Sequence, residues 1–279
     1  MRIISAMDPH LMIALILVGV FAGVIGAMFG MGGGIIFIPV LTIVFGLSAG
    51  EAVAVSLVGI IASSVGAASS YVKCGKCNIR LGLLLAISTA LGALLGATLA
   101  GILMDWVLLS IFACVLLYSS VNMLRSKERI IRPADDDQDP LVFAYTDDKG
   151  TRQRYKVENI GSGLAWSGGI GVLSSLTGVG GGSLQVPLMN SHMHIPIKVA
   201  SATSNYMIGI TAMAGVLVFF INGYVLLDYA ASVAIGAFAG SMLGIFISGR
   251  VRSASLRKYL AFILIAVAAS ALLKAGGIL

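Results

Sequence analysis

Apolar residues run through this chain in long unbroken stretches separated by short polar turns. The stretches 52–72, 81–103 and 106–124, and then 198–221, 229–249 and 259–277, carry apolar residues on every face. They lack the alternation of a half-buried strand or of a membrane barrel, so each predicts a helix. About 20 apolar residues suffice to cross a hydrocarbon core about 30 Å thick. Ahead of each trio lies a different pattern. An apolar limb meets a run of glycines, and a shorter apolar limb follows, ending near residue 46 in the first half and near 190 in the second. Between the halves, the apolar residues of 141–145, the turn formers Asp147, Asp148 and Gly150, and the segment 152–157 fit either a small hairpin or a disordered linker.

The two halves repeat one another. Gly30, Gly32, Gly33, Gly34 and Pro39 recur as Gly178, Gly180, Gly181, Gly182 and Pro187, at a constant spacing of 148 residues. The same ungapped offset aligns Ala52, Ala54 and Ser56 with Ala200, Ala202 and Ser204, and Gly92 and Gly96 with Gly240 and Gly244. Two homologous halves account for this: a first membrane repeat over 1–124, a charged cytoplasmic insert over 125–158 and a second membrane repeat over 159–279. The apolar stretch that begins at Leu11 superficially resembles a secretory signal, but it leads straight into the first copy of the repeat and is read as part of the fold.

Loop charge separates two topologies. If both broken segments enter and return on one side as hairpins, 16 of the 18 Lys and Arg residues fall on one face, among them Lys73, Lys76, Arg80, Lys198 and the cluster from Arg250 to Lys258. If both cross as interrupted helices, giving eight transmembrane helices, the split is 13 to 5. The bias of basic residues toward the cytoplasm favours hairpins. The expected fold is therefore an all-α, multi-pass protein of the cytoplasmic (inner) membrane. It has six full crossings and two re-entrant hairpins, with both termini extracytoplasmic. Three crossings per half reverse the entry side of the second half, so the repeats are inverted.

Composition agrees with a lipid bilayer as the main solvent. Of 279 residues, 58% are hydrophobic and 11% charged, with a mean hydropathy of +1.00, whereas a soluble domain carries roughly a quarter charged residues. The net charge of +6 reports orientation in such a chain, and no nucleic-acid partner is expected. Three cysteines, Cys74, Cys77 and Cys114, build no disulfide framework. Cys74 and Cys77 form a lone CxxC, open to four readings: a redox pair, a thiol acceptor, half of an intersubunit zinc site, or two ordinary thiols. His192 and His194 have no third ligand in view, so neither a metal nor a cofactor is expected.

The glycine runs are the candidate site. A Gly-x-Gly-Gly-Gly sequence at membrane depth stops a helix and leaves backbone N–H groups that must face protein or a wet cavity. The limb that follows points its N-terminus there, where free N–H groups and the helix dipole favour negative charge. Gly30, Gly32, Gly33 and Gly34, with Gly178, Gly180, Gly181 and Gly182, would surround a small anion near the midplane. Thr177, Ser183 and Gln185 beside the second run, and Ser56, Ser204 and Asn205 on the spans that follow, supply neutral donors. Any Ser or Thr among them has a plainer use, bonding its own helix. Pro39 and Pro187 are structural, each freeing a further carbonyl in the short limb.

On these residues, with Ala54, Val55 and Ser56 after the first run and Ala200, Ser201, Ala202, Thr203, Ser204 and Asn205 after the second, the chain resembles the sulfite exporter TauE/SafE family of bacterial membrane permeases. The resemblance implies export of sulfite, an organosulfonate or a related anion through the cytoplasmic membrane. The charged insert and the Cys74–Cys77 pair depart from the family's commonest pattern and leave the particular anion open. A gated anion channel of the same fold and a non-transport membrane assembly factor are the alternatives. An enzyme is not expected, since the spans hold no nucleophile–base motif or paired carboxylates. A homodimer is the base-rate oligomer.

Overall fold

The computed structural model describes residues 8–125, 141–146, 152–248, 262 and 265–272. The acidic run of the insert, the turn at 147–150, the cluster from Arg250 to Lys258 and most of the span expected at 259–277 lie outside the described residues. Residues 265–272 are helical. In chain order the first half contains α1 (Pro9–Phe29), α2 (Gly34–Pro39), a π-helical turn (Val40–Val44), α3 (Ala49–Lys73), α4 (Ile79–Ala100) and α5 (Asp105–Arg125). Strands β1 (Val142–Thr146) and β2 (Arg152–Lys156) follow. The second half contains α6 (Ile160–Thr177), α7 (Gly182–Pro187), a second π-helical turn (Leu188–His192), α8 (Ile197–Ile221) and α9 (Leu227–Ser248).

Local chemistry sets these boundaries. Proline occupies the first turn of α1, where its fixed φ suits a helix and its missing N–H is not needed. α3 starts three residues before the expected limit because Ser48 and Glu51 cap it reciprocally, the Ser48 hydroxyl accepting from the Glu51 N–H and the Glu51 carboxylate from the Ser48 N–H. Pro39 and Pro187 end the α-helical ladder of the short limbs. Neither can donate to the carbonyl four residues back, and the chain widens into a π turn.

Five helices among the described residues are long and apolar enough to cross a membrane: Pro9–Phe29, Ala49–Lys73, Ile79–Ala100, Ile197–Ile221 and Leu227–Ile247. Leu17, Phe21, Ile87, Leu91, Leu95 and Phe246 are exposed on their outer faces, as a lipid-facing surface requires. At the centre α3 and α8 run antiparallel, with Ser64 against both Asn205 and Gly209 and Leu57 against Gly215.

The flanking helices pack in two matched pairs. Ile16, Val20 and Val24 of α1 meet Gly236, Gly240 and Gly244 of α9, while Leu164, Gly168 and Val172 of α6 meet Ser88, Gly92 and Gly96 of α4. A shift of 148 residues turns each contact of the first pair into one of the second. Where glycine stands there is no room for a Cβ beside the neighbouring carbonyl, so close backbone approach joins these helices.

Each short limb folds back along the limb before it. Gly33 lies against Ala22 and Gly26, and Leu41 and Leu47 share one apolar cluster with Leu11 and Leu15. In the second half Gly181 lies against Ser174 and Gly163 against Met193, while Asn159 Nδ2 donates to the His192 carbonyl at 3.0 Å. The start of the first limb and the end of the second therefore sit at the same end of the molecule in each half.

Within the insert, β1 and β2 pair antiparallel from Val142 with Lys156 to Thr146 with Arg152, so the hairpin alternative describes these residues. Tyr145, Tyr155 and Val157 are buried against Leu81, Leu85, Met189 and Met193. Asn78 Nδ2 donates to Tyr155 Oη at 2.9 Å. The same Asn78 caps α4, its Oδ1 accepting from Leu81 N at 3.1 Å, and its own N–H donates to Thr203 Oγ1 at 3.0 Å. One residue thus ties the hairpin to α4 and α8.

Candidate functional site: the crossed glycine breaks

Every glycine in the two runs has a steric reason. Gly30, Gly32 and Gly33 have φ of 75°, 71° and 85°, and Gly178, Gly180 and Gly181 have φ of 63°, 85° and 71°, conformations that cost an L-residue roughly 1–2 kcal/mol each. The fourth glycine of each run serves another purpose. A Cβ on Gly34 would strike the Gly178 carbonyl, and one on Gly182 would strike the Gly30 carbonyl. The breaks therefore cross in direct backbone contact, each fourth glycine beneath the other run's first. Gly32 and Gly180 both rest on Ile60 and Ile208, about halfway along α3 and α8.

Four of the carbonyls at the breaks are bonded by side chains from the central helices, two of them as a matched pair. Ser56 Oγ donates to the Gly178 carbonyl at 2.7 Å and Ser204 Oγ to the Gly30 carbonyl at 2.9 Å. Asn205 Nδ2 donates to the Ala27 carbonyl at 3.0 Å, joined there by Tyr71 Oη at 3.2 Å. Ser63 Oγ donates to the Gly32 carbonyl at 2.9 Å. A helix end buried without such partners would leave polar groups orphaned in a nonaqueous interior. Ser56 and Ser204 thus hold the crossing together, and Thr177 Oγ1 donates to the Leu173 carbonyl of its own helix at 2.6 Å.

The halves differ beside the second break. Gln185, 2% exposed, donates from Nε2 to Ser167 Oγ at 2.9 Å while its Oε1 has no partner. The hydroxyls of Ser174 and Ser183 are likewise buried without a partner. Gln185, Ser174, Thr89 and Thr211 line a small cavity closed by Gly180, Gly181, Ile170 and Met207. Its volume is about 10 Å³, enough for about one water molecule. Thr89 and Thr211 face each other across it, hydroxyl to hydroxyl, at 2.7 Å. Sequence reading picked out Gln185 and Ser183 but missed Ser174, Thr89, Thr211 and Ser167. Comparing the halves position by position exposes three of the differences, because Ser174, Gln185 and Thr211 stand where the first half has Gly26, Phe37 and Ser63.

A larger hollow, about 400 Å³, opens at the end where the hairpin docks, lined by Lys76, Cys77, Asn78, Arg80, Phe143 and Tyr155 among others. Lys73 and Lys198 are exposed at the same end. Burial pushes the Cys77 thiol up to about 11, with a bond to Thr203 acting the other way. Burial likewise raises the Tyr155 hydroxyl, opposed by its bond from Asn78. His194 Nδ1 lies 3.2 Å from a Glu158 carboxylate oxygen, and His192 Nε2 lies 2.7 Å from Ser162 Oγ. Both histidines face the junction of insert and α6. Among the described residues, no three His, Cys, Asp or Glu side chains gather as a metal site.

Known proteins match this chain along nearly its whole length. The family described as Sulfite exporter TauE/SafE matches residues 15–271. The chain is 29% identical over 264 residues to "Probable membrane transporter protein YunE" of Bacillus subtilis (strain 168), covering 91% of this chain and 95% of that protein. It is 24% identical over 278 residues to a "Probable membrane transporter protein" of Haemophilus influenzae, covering 93% and 97%. A "Probable membrane transporter protein" of Methanocaldococcus jannaschii is 26% identical over 266 residues, covering 90% and 91%. No solved structure matches. With its apolar helices and its paired glycine breaks, the chain belongs to the sulfite exporter TauE/SafE family of multi-pass membrane transport proteins.

Proposed function

We propose that this protein exports sulfite or a related small sulfur-containing anion, organosulfonates included, across the cytoplasmic membrane, and that the anion passes where the two glycine breaks cross. The observation that carries this reading is the crossing itself. Two runs of irregular backbone meet halfway along the central helices, with their carbonyls bonded by Ser56, Ser204, Asn205 and Ser63. Unwound backbone at membrane depth is tolerated where it lines a substrate path. With the Ala27, Gly30, Gly32 and Gly178 carbonyls bonded, N–H donors at the starts of the short limbs are among the groups left to meet a ligand, and these favour anions. The cavity in this conformation is too small for sulfite, so it corresponds to an occluded state that must open toward each side in turn.

The topology proposed with this function is two inverted repeats, each a re-entrant hairpin followed by three crossings. The fold-back of Gly33 onto Ala22 and of Gly181 onto Ser174 supports hairpins over interrupted crossings, and the 148-residue correspondence of helix contacts supports the repeat. The insert then lies in the cytoplasm with Lys73, Lys76, Arg80 and Lys198, where basic side chains raise the local concentration of anions. The termini lie outside.

Among the described residues, charged side chains on the long helices occur only in the first and last turns, so no carboxylate is placed to relay protons through the middle. None is required for export. A unit negative charge leaving a negative cytoplasm moves downhill by about 2.3 kcal/mol per 100 mV.

The test is sulfite flux in proteoliposomes for the native chain and for a Gly33→Leu, Gly181→Leu double variant, with folding checked by size-exclusion profile. Flux in the native chain and at least a tenfold loss in the folded variant are expected. Equal flux in both would remove the glycine breaks from the path. Unitary currents in place of saturable counterflow would favour the channel.

A further inference from the structure

We infer that the hollow beside the docked hairpin is a binding site for one anionic phospholipid, whose phosphate sits on Lys76 and Arg80 and whose acyl chain follows the outer face of α4. This goes beyond the transport reading and does not depend on which anion is carried. Depth is the first observation. α4 has 22 residues, about 33 Å of helix, against a hydrocarbon core about 30 Å thick. Its first turn therefore lies at one surface of that core, at the level of the lipid headgroups. Ile79 and Arg80 of this turn are both exposed and both line the hollow.

Charge and apolar surface meet at this point. The hollow holds about 400 Å³, and its lining carries two cations, Lys76 and Arg80, and no carboxylate. Val142 and Phe143 of β1 add apolar wall to the same space. On α4, Ile79, Leu83, Ile87 and Leu91 follow at four-residue steps and are 41%, 46%, 65% and 61% exposed, so they form one strip along the helix. Ile79 belongs to both the strip and the hollow. A ligand with an anionic head and a hydrocarbon tail covers both parts at once. A soluble oxyanion would use the cations and leave the strip and the apolar wall bare. Basic pockets at a membrane surface select anionic headgroups over zwitterionic ones.

The second half supplies an internal comparison. The 148-residue offset lays α9 on α4 and puts Tyr224 and Asp228 where Lys76 and Arg80 stand. Among the described residues the only strand pair is β1 with β2, at the first-half position. The repeat alone therefore does not build the hollow; the two cations and the insert do. Occupancy also bears on the crossing. Asn78, in the lining, donates from Nδ2 to Tyr155 and from its backbone N–H to Thr203, and the neighbouring Ser204 holds the Gly30 carbonyl. A lipid head seated there braces the hairpin against α4 and α8.

The experiment is lipid titration of the purified full-length chain read by native mass spectrometry. The probes are phosphatidylglycerol and phosphatidylcholine of identical acyl chains, with glycerol 3-phosphate as the soluble head alone. The variants are Arg80→Ala and Lys76→Ala in the hollow and Lys73→Ala outside it, each checked by thermal unfolding. Expected is one phosphatidylglycerol per chain, bound about tenfold or more tighter than phosphatidylcholine, with a loss of about fivefold in Arg80→Ala and in Lys76→Ala. Lys73→Ala should stay within about twofold of native, and equimolar glycerol 3-phosphate should displace nothing. Arg80 is exposed, so its variant reports on the site even if Lys76→Ala fails to fold. Equal affinity for the two lipids, or a Lys73→Ala loss matching that of Arg80→Ala, reduces the attraction to diffuse surface charge and overturns the site. Displacement by glycerol 3-phosphate assigns the hollow to a soluble anion and overturns the lipid. None of these results alters sulfite flux in proteoliposomes, which tests the transport reading separately.

Discussion

At the scale of single residues, the Gly-x-Gly-Gly-Gly run resolves into two different demands. Its first, third and fourth members take left-handed φ, and its last member has a backbone carbonyl where a side chain would be. The sequence makes the repeated run legible as a helix break, because no other residue type tolerates such a string of conformations. It does not reveal that Ser56 and Ser204 serve the opposite half's backbone, since those bonds span 122 and 174 residues. Short hydroxyl side chains look alike in sequence whether they face a ligand, their own helix or a distant carbonyl. Replacing Ser56 or Ser204 by Ala should leave a buried carbonyl unpaired and lower stability by about 1–3 kcal/mol. Thermal unfolding in detergent measures this, and the two variants should suffer by similar amounts, because their bonds occupy equivalent places. An unfolding midpoint at the native value in both would mean that the crossing is held by packing alone.

At the scale of elements, the apolar stretches located the helices among the described residues to within a few residues, and the misses have local causes. The Ser48–Glu51 cap extends α3 toward its N-terminus, and Asn78 starts α4 two residues before the expected limit of 81. The hairpin of the insert left a trace in its turn formers and in the apolar run of 141–145. Its docking did not, because the decisive contacts of Tyr155 with Asn78, and of Tyr145 and Val157 with the α4 and α7 region, are tertiary. That docking also bears on the CxxC. Cys74 is exposed while Cys77 is partly enclosed at the edge of the hollow. The Cys77 thiol is held at about 11 against an ordinary 9.0, so it stays protonated at neutral pH and is a poor nucleophile. Maleimide labelling of a Cys114→Ala background followed by mass spectrometry should find Cys74 modified first, with Cys77 accelerating only as pH climbs toward 11. Because the folded state holds that proton more tightly than the unfolded chain, the contribution of Cys77 to stability is full below about pH 9 and is lost as pH rises through about 11. Equal labelling of both at pH 7 would show that the hairpin does not shield this loop.

At the scale of the whole molecule, one offset of 148 residues governs the sequence repeat, the helix pairs α1 with α9 and α6 with α4, and the serine-to-carbonyl bonds across the break. A duplicated half that packs against its own copy explains all three. The same near-symmetry isolates the places where the halves have diverged, and those are the docked hairpin at one end and the polar cavity beside Gln185 in the middle. The fold-back of the short limbs is the geometry that the proposed hairpin topology requires. On the proposed function, flux requires the small cavity beside the crossing to open toward each side in turn. The most direct measurement of this account is sulfite flux through the reconstituted native chain at imposed potentials of either sign. Saturable flux that rises when sulfite moves away from the negative side, and that is absent from protein-free liposomes, is the predicted result. Flux carried by a cation, or no movement of sulfite, sulfate or sulfonate at any potential, would contradict it.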